Sequence, residues 1–142
     1  MRYVIDTNVV SEVRKATPDA RVRAWWDRQA ADDLFITATI AGELLLGVEL
    51  LPRGRKRDEL ASWTAIVLGS TFAGRILPFD EDAAPIYARL VAQARGLGRA
   101  VGFGDAQIAA VALDHEMTVV TRDVADFSTY GVELIDPWSL AA

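Results

Sequence analysis

The sequence predicts an α/β fold, a central, mainly parallel sheet of about five strands flanked by helices on both faces. Three observations carry this reading. Short apolar runs alternate with segments of helical periodicity. The strand-like runs are apolar throughout rather than alternating, as in strands covered on both faces. No repeat, low-complexity stretch or linker interrupts the 142 residues, so residues 1–142 read as a single domain large enough to bury a sizeable core.

The elements follow in chain order. Arg2–Ile5 is the first strand, and a helix starts at Thr7 or Asn8 and ends before Pro18. A second helix, Asp19–Ala30, carries Val22, Trp25 and Trp26 on one face. Strand Leu34–Thr37 leads into helix Thr39–Leu51, capped by Thr39 and stopped at Pro52. A longer helix, Arg55–Phe72, opens on a basic patch and precedes strand Arg75–Pro78. Asp80, Glu81 and Asp82 suit the N-terminus of a helix running to Arg95, with Asp80 as its cap. Gly96-Leu97-Gly98 then reads as a C-cap. Helix 104–115 starts at Gly104 or Asp105, and its alanines allow close approach to the sheet. Strands Thr118–Thr121 and Val132–Ile135 complete the set, and Asp136-Pro137 reads as a terminal turn.

Composition excludes several functions. Cysteine is absent, which removes disulfides and thiolate metal sites and fits a cytoplasmic protein. No cationic leader precedes the first strand, and no apolar run is long enough to span a membrane. His115, the sole histidine, falls at a helix C-terminus, so a histidine acid–base pair is excluded. There is no phosphate loop. A phosphatase of the haloacid dehalogenase type needs a carboxylate where Asn8 stands. The net charge of −5 opposes broad nucleic-acid binding, leaving local contacts by Arg53, Arg55, Lys56 and Arg57, or by Arg14, Lys15, Arg95, Arg99 and Arg122.

Four carboxylates stand beside apolar segments: Asp6, Glu43, Asp105 and Asp123. Each alone fits a structural role, as a helix cap for Asp6 or Asp105, a turn for Asp123, or an ion pair for Glu43. Together they fall at the carboxyl end of the expected sheet, where open α/β folds bind ligands. Converging carboxylates repel, and a divalent cation relieves that repulsion. Oxygen-only ligands favour Mg²⁺ or Mn²⁺, which can generate a nucleophile from water and neutralise charge at phosphorus. Asp126, just beyond Asp123, is expected to be an orienting or auxiliary carboxylate turned from the cation by Phe127.

The ordered strings VIDTNVVSE, AGELLLGVE, FAGRILPFDEDAAPIYA, GDAQIAAVA, TRDVADF and DPW resemble PIN-domain ribonucleases, in particular the VapC toxins of the FitB-like branch. The resemblance spans nearly the whole chain. It implies a PIN-like three-layer fold and a Mg²⁺-dependent endoribonuclease, with Mn²⁺ able to substitute. It also implies a toxin–antitoxin role, a homodimer, RNA as substrate, and a VapB- or FitA-like antitoxin as partner. By position, Asp6, Glu43, Asp105 and Asp123 match the acidic set, with Asp6, Asp105 and Asp123 as the metal ligands. Thr7 and Asn8 match residues holding the first aspartate's turn, and Thr121 matches a hydroxyl lining the pocket. The alternative is a degenerate PIN domain that binds RNA or assembles without cleaving.

Overall fold

The computed structural model describes residues 1–140. Five strands form a parallel sheet: β1 (Tyr3–Ile5), β2 (Leu34–Thr37), β3 (Ile76–Leu77), β4 (Thr118–Val120) and β5 (Leu134–Ile135). Their order is β3-β2-β1-β4-β5, so β1 is central and the connections reverse direction between β1 and β4. Such a reversal opens a crevice beyond the strands' carboxyl ends. The register pairs Val4 with Val119 and Ile5 with Val120. Extended by one residue, it sets Asp6 beside Thr121.

The helices are α1 (Thr7–Arg14), α2 (Ala20–Asp27), α3 (Ala38–Glu49), α4 (Arg55–Ile66), α5 (Ala83–Gly96), α6 (Phe103–Asp114) and α7 (Val124–Ser128). Helix α6 is the hub, packing on α5, α3, α7 and β4. Its residues Ala106 and Ile108 to Ala112 are all fully buried or nearly so, because four alanines let it approach its neighbours on several sides. The core continues through Val4, Ile5, Val9, Ile36, Ile40, Val119, Val120 and Phe127.

All five strands occur where the sequence predicts them, shortened by up to two residues at their ends. Corrections concern the helices. Thr39 is not the cap of α3. Thr37 Oγ1 accepts the Ile40 N–H at 3.2 Å, while the Thr39 hydroxyl bonds Gln107 Oε1 at 3.0 Å. The expected helix 55–72 stops at Ile66 and continues as a π turn, Val67–Thr71, closed by a bond from the Phe72 N–H to the Val67 carbonyl. That wider turn places Phe72 in the core, 1% exposed. Helix α5 begins at Ala83 rather than Asp80, yet Asp80 does cap it, accepting from the Asp82 and Ala83 N–H groups. The glycine C-cap of α5 is present: Gly98 has φ +68, and the Arg99 N–H bonds the Ala94 carbonyl. The short helix α7 and a 3₁₀ turn at Ala31–Asp33 carry too little periodicity to be expected from sequence.

Trp25 and Trp26 divide between two environments. Trp25 is buried with its ring edge-on to Tyr3, and the half-buried Trp26 lies edge-on to Phe72. Trp138 is buried beneath the Arg122 guanidinium at the terminal turn, where Asp136 accepts the Trp138 N–H.

The reassigned cap is directly testable. Thr37→Val keeps the shape of a fully buried side chain but removes the acceptor for Ile40. We expect it to lower unfolding free energy in urea by about 1–2 kcal/mol. Thr39→Val, which loses no cap, should fall by less.

Candidate active site

Asp6 follows the central strand directly, and its N–H continues the sheet by bonding the Val120 carbonyl. Its carboxylate is 4% exposed and held from two sides. Oδ1 accepts the Thr7 N–H at 2.8 Å, and Oδ2 accepts the Thr121 hydroxyl at 2.7 Å. Thr121 in turn accepts the Asp123 N–H at 2.9 Å and one Asn8 amide proton at 3.4 Å. A hydroxyl offers one proton and two lone pairs, so Thr121 is fully used and its proton must point to Asp6. Asn8 completes the link: its amide donates to Asp123 Oδ2 at 3.2 Å, and its carbonyl accepts the Arg122 N–H.

Glu43 enters from α3, where the Thr7 hydroxyl donates to Oε2. The sequence places Glu43 among leucines, but Leu45 and Leu46 are 49% and 54% exposed and do not shield it. Its partial burial comes instead from Thr7 and from α6, since a methyl at Gly104 would lie 3.4 Å from Glu43 Oε1. Asp105 is the third residue of α6, a position that favours a carboxylate electrostatically. It is half-buried, and a methyl at Gly102 would lie 3.4 Å from its Oδ2. Neither glycine has a positive φ, so backbone conformation does not demand them. What they provide is clearance around the two carboxylates.

Charge and burial act together on two of these acids. Burial raises the Asp6 carboxyl from its ordinary 3.8 to about 6, against the lowering effects of its bonds to Thr121 and Thr7, with Glu43 and Asp123 adding repulsion. Burial likewise raises Asp105 to about 6, followed by repulsion from Asp6, Asp126, Glu43 and Asp123. The structure therefore brings Asp6 and Asp105 close enough to each other, to Glu43 and to Asp123 for repulsion. Asp126 lies close to Asp105, with which it lines one cavity, while the adjacent Phe127 is buried.

The donors are oxygens only, matching a hard divalent cation. Among the described residues, however, the sole trio of carboxylate oxygens within 4.8 Å of one another is Asp80, Asp82 and Asp114, away from Asp6. The looser spacing around Asp6 leaves room for waters among the carboxylates, which an oxygen-ligated divalent cation accommodates.

Residues 3–132 match the family model for the PIN domain. The chain belongs to the PIN-domain family. A VapC ribonuclease of Sinorhizobium fredii is 41% identical over 138 residues, covering 97% of this chain and 99% of that protein. The toxin FitB of Neisseria gonorrhoeae is 41% identical over 135 residues, covering 95% and 97%. The crystal structure of FitAcB from the same organism superposes with a TM-score of 0.89 at 40% identity, covering 97% of this chain and 99% of that one. A structure of FitAB bound to a DNA fragment gives 0.90 at 40% identity, covering 99% and 98%.

Sequence reasoning missed three contributors to this PIN-domain site. The Thr39–Gln107 bond ties α3 to α6 one turn from Glu43 and two residues from Asp105. Tyr130, 5% exposed, directs its hydroxyl to the Gly102 carbonyl at 3.5 Å, beneath the turn that presents Asp105. Gly102 and Gly104 give the clearance already described, which the sequence Gly102-Phe103-Gly104 marks only as two small residues before Asp105.

These shifts set the sign of a pH dependence. A raised carboxyl pKa means that the folded state holds its proton more tightly than the unfolded chain. The associated stability is full below about pH 4 and lost as pH rises through about 6. For Asp6 a shift of this size corresponds to roughly 3 kcal/mol. Glu12 runs the other way, because its hydrogen bond from Lys15 holds it below the usual carboxylate range. Comparison with Asp6→Asn isolates the site. Without divalent cation, the melting temperature of the wild type should drop, relative to Asp6→Asn, between about pH 4 and 7. Parallel profiles across that range would contradict the assigned burial of charge.

Proposed function

We propose that this PIN domain is a divalent-cation-dependent endoribonuclease and the toxin of a toxin–antitoxin pair. The observation that carries the reading is the buried Asp6, fixed by Thr7 and Thr121 at the carboxyl end of the central strand and facing Glu43, Asp105 and Asp123. The names of the VapC ribonuclease and FitB toxin relatives support it independently.

In this reading Asp6, Asp105 and Asp123 hold the cation, and Glu43 holds it or orients its water. Held there, Mg²⁺ or Mn²⁺ would supply Lewis acidity that lowers the pKa of water and offsets charge on the phosphate. Asp6 is a fixed wall, since both its oxygens are already oriented. Thr7 sets the Glu43 carboxylate through its hydroxyl, so the first turn of α1 aligns two acids at once. Asn8 from α1 and Thr121 just after β4 hold Asp123 in the same way. Arg14 and Arg99 line the cavities on either side, the first with Thr7 and Glu43, the second with Asp105. They give an acidic chain two local contacts for an RNA backbone.

The proposed partners are a small antitoxin of the VapB or FitA kind and a second copy of the chain, in the cytoplasm. The solved FitAcB and FitAB structures support the antitoxin. Leu45 and Leu46 on α3, Leu50 at its C-cap and Ile66 on α4 are all about half exposed or more, apolar side chains that favour association. Among the described residues, no helix is long and apolar enough to cross a membrane. We expect a dimer by sedimentation at micromolar concentration, and a monomer there would remove the homodimer from this reading.

Cleavage of a single-stranded RNA with titrated Mn²⁺ tests the activity. Asp6→Asn and Asp105→Asn should each reduce the rate roughly a hundred- to a thousand-fold while remaining folded, the order of magnitude of losing one preorganised electrostatic group. Asp123→Asn should fall only partially, since an amide oxygen still ligates or bonds a water. A folded Asp6→Asn that cleaves at the wild-type rate would refute the site. A metal midpoint moved far more by Asp126→Asn than by Asp123→Asn would exchange the roles of those two residues.

A further inference from the structure

Two cavities border the acidic centre, and they differ in what they can hold. The one containing Thr7, Glu43, Ser11 and Arg14 has a volume of about 170 Å³. The one containing Asp105 has about 490 Å³ and is lined by Arg99, Ala100, Val101, Gly102, Asp126, Thr129 and Tyr130 among others. Only the second falls within the roughly 300–1,000 Å³ of ligand pockets that enclose a nucleotide-sized group.

Its side chains are also the less committed ones. Arg14 already lies over the Trp63 ring, Arg122 over Trp138, Lys15 on Glu12 and Arg57 on Glu49. Among the described residues, the Arg99 guanidinium has one hydrogen bond, at 3.5 Å to the Thr129 hydroxyl. An ionised carboxylate such as Asp126 can only accept protons, so it suits the N–H edge of a base and repels a phosphate. Phe103, adjacent in sequence to the lining residue Gly102, is 53% exposed and stands beside Arg95. Exposed aromatic rings interleaved with arginines are the pattern that holds single-stranded nucleic acid.

Resting on the ribonuclease reading, we propose that the cavity between the start of α6 and α7 is the subsite for one ribonucleotide next to the scissile phosphate. Arg99 contacts that nucleotide's own phosphate, and Asp126 accepts from its base edge. Arg99 is a binding and specificity residue here, distinct from the four acids that surround the cleavage point. Glycine at 102 leaves clearance beside Asp105 in the cavity lining.

The test uses the full chain as wild type, Arg99→Ala and Arg99→Lys, with Arg23→Ala as a control of equal charge change on α2. Affinity for a fluorescent single-stranded RNA is measured in EDTA at several salt concentrations, and cleavage kinetics are measured with Mn²⁺. Arg99→Ala should weaken binding about tenfold and lower the slope of log affinity against log salt by about 0.7, the loss of one phosphate contact on a single strand. It should raise KM with little change in kcat, and Arg99→Lys should keep the salt slope. Replacing single phosphates by neutral methylphosphonates should reveal one position, adjacent to the cut, at which wild type and Arg99→Ala bind equally. If wild type cleaves while Arg99→Ala keeps its affinity, slope and KM, the subsite is wrong and the ribonuclease reading stands. If wild type neither binds nor cleaves RNA, both fall. A changed oligomeric state of Arg99→Ala in sedimentation would assign Arg99 to a contact between copies and overturn the proposal.

Discussion

The structure around the acidic centre depends on the burial of one carboxylate, Asp6, at the end of the central strand. An ion in that position is destabilised by lost hydration unless its oxygens find donors. The Thr7 N–H and the Thr121 hydroxyl are those donors. Because Thr121 also receives the Asp123 N–H and the Asn8 amide, one hydroxyl joins the ends of β1 and β4, the start of α1 and the turn before α7. The crevice walls are thereby fixed by the same bonds that stabilise its most buried charge.

Those bonds do not neutralise the centre. Asp6 and Asp105 are both raised to about 6 by burial and then by their acidic neighbours. A fold that gathers like charges carries a local free-energy deficit, and a dication is the simplest compensation. The Asp80–Asp82–Asp114 trio is geometrically tighter but consists of groups at the edges of helices, with Asp80 already occupied in capping α5. Proximity of carboxylates alone therefore separates the two clusters poorly; burial and mutual repulsion separate them well.

Helix α6 links packing to chemistry. Its alanines allow contact with α3, α5, α7 and β4, which fixes the position of its N-terminus. There Asp105 faces Glu43 on one side and Asp126 on the other, with Gly102 and Gly104 leaving the gap open. The Thr39–Gln107 bond and the Tyr130 hydroxyl brace the same end from α3 and from the turn after α7. Small residues at close approaches and polar braces at the rim are what allow a tightly packed helix to present an acid at a crevice.

By itself, the sequence determined the five strands, the α/β class and the acidic residues brought together around Asp6. These are written in local signals: apolar runs of strand length, and carboxylates placed just after them or at helix starts. The sequence misjudged Thr39 because Thr37 and Thr39 are both plausible caps, and only the end of β2 decides between them. Around Glu43 and Asp126 the surroundings are set by tertiary packing: Leu44 is buried while Leu45 and Leu46 turn outward, and Asp126 lines a cavity with Asp105 although the adjacent Phe127 is buried. Tertiary structure alone decided that β1 and β4 lie side by side in a register that sets Thr121 against Asp6, residues 115 positions apart. Such long-range pairings arise from the collective packing of sheet and helices, and no local pattern encodes them.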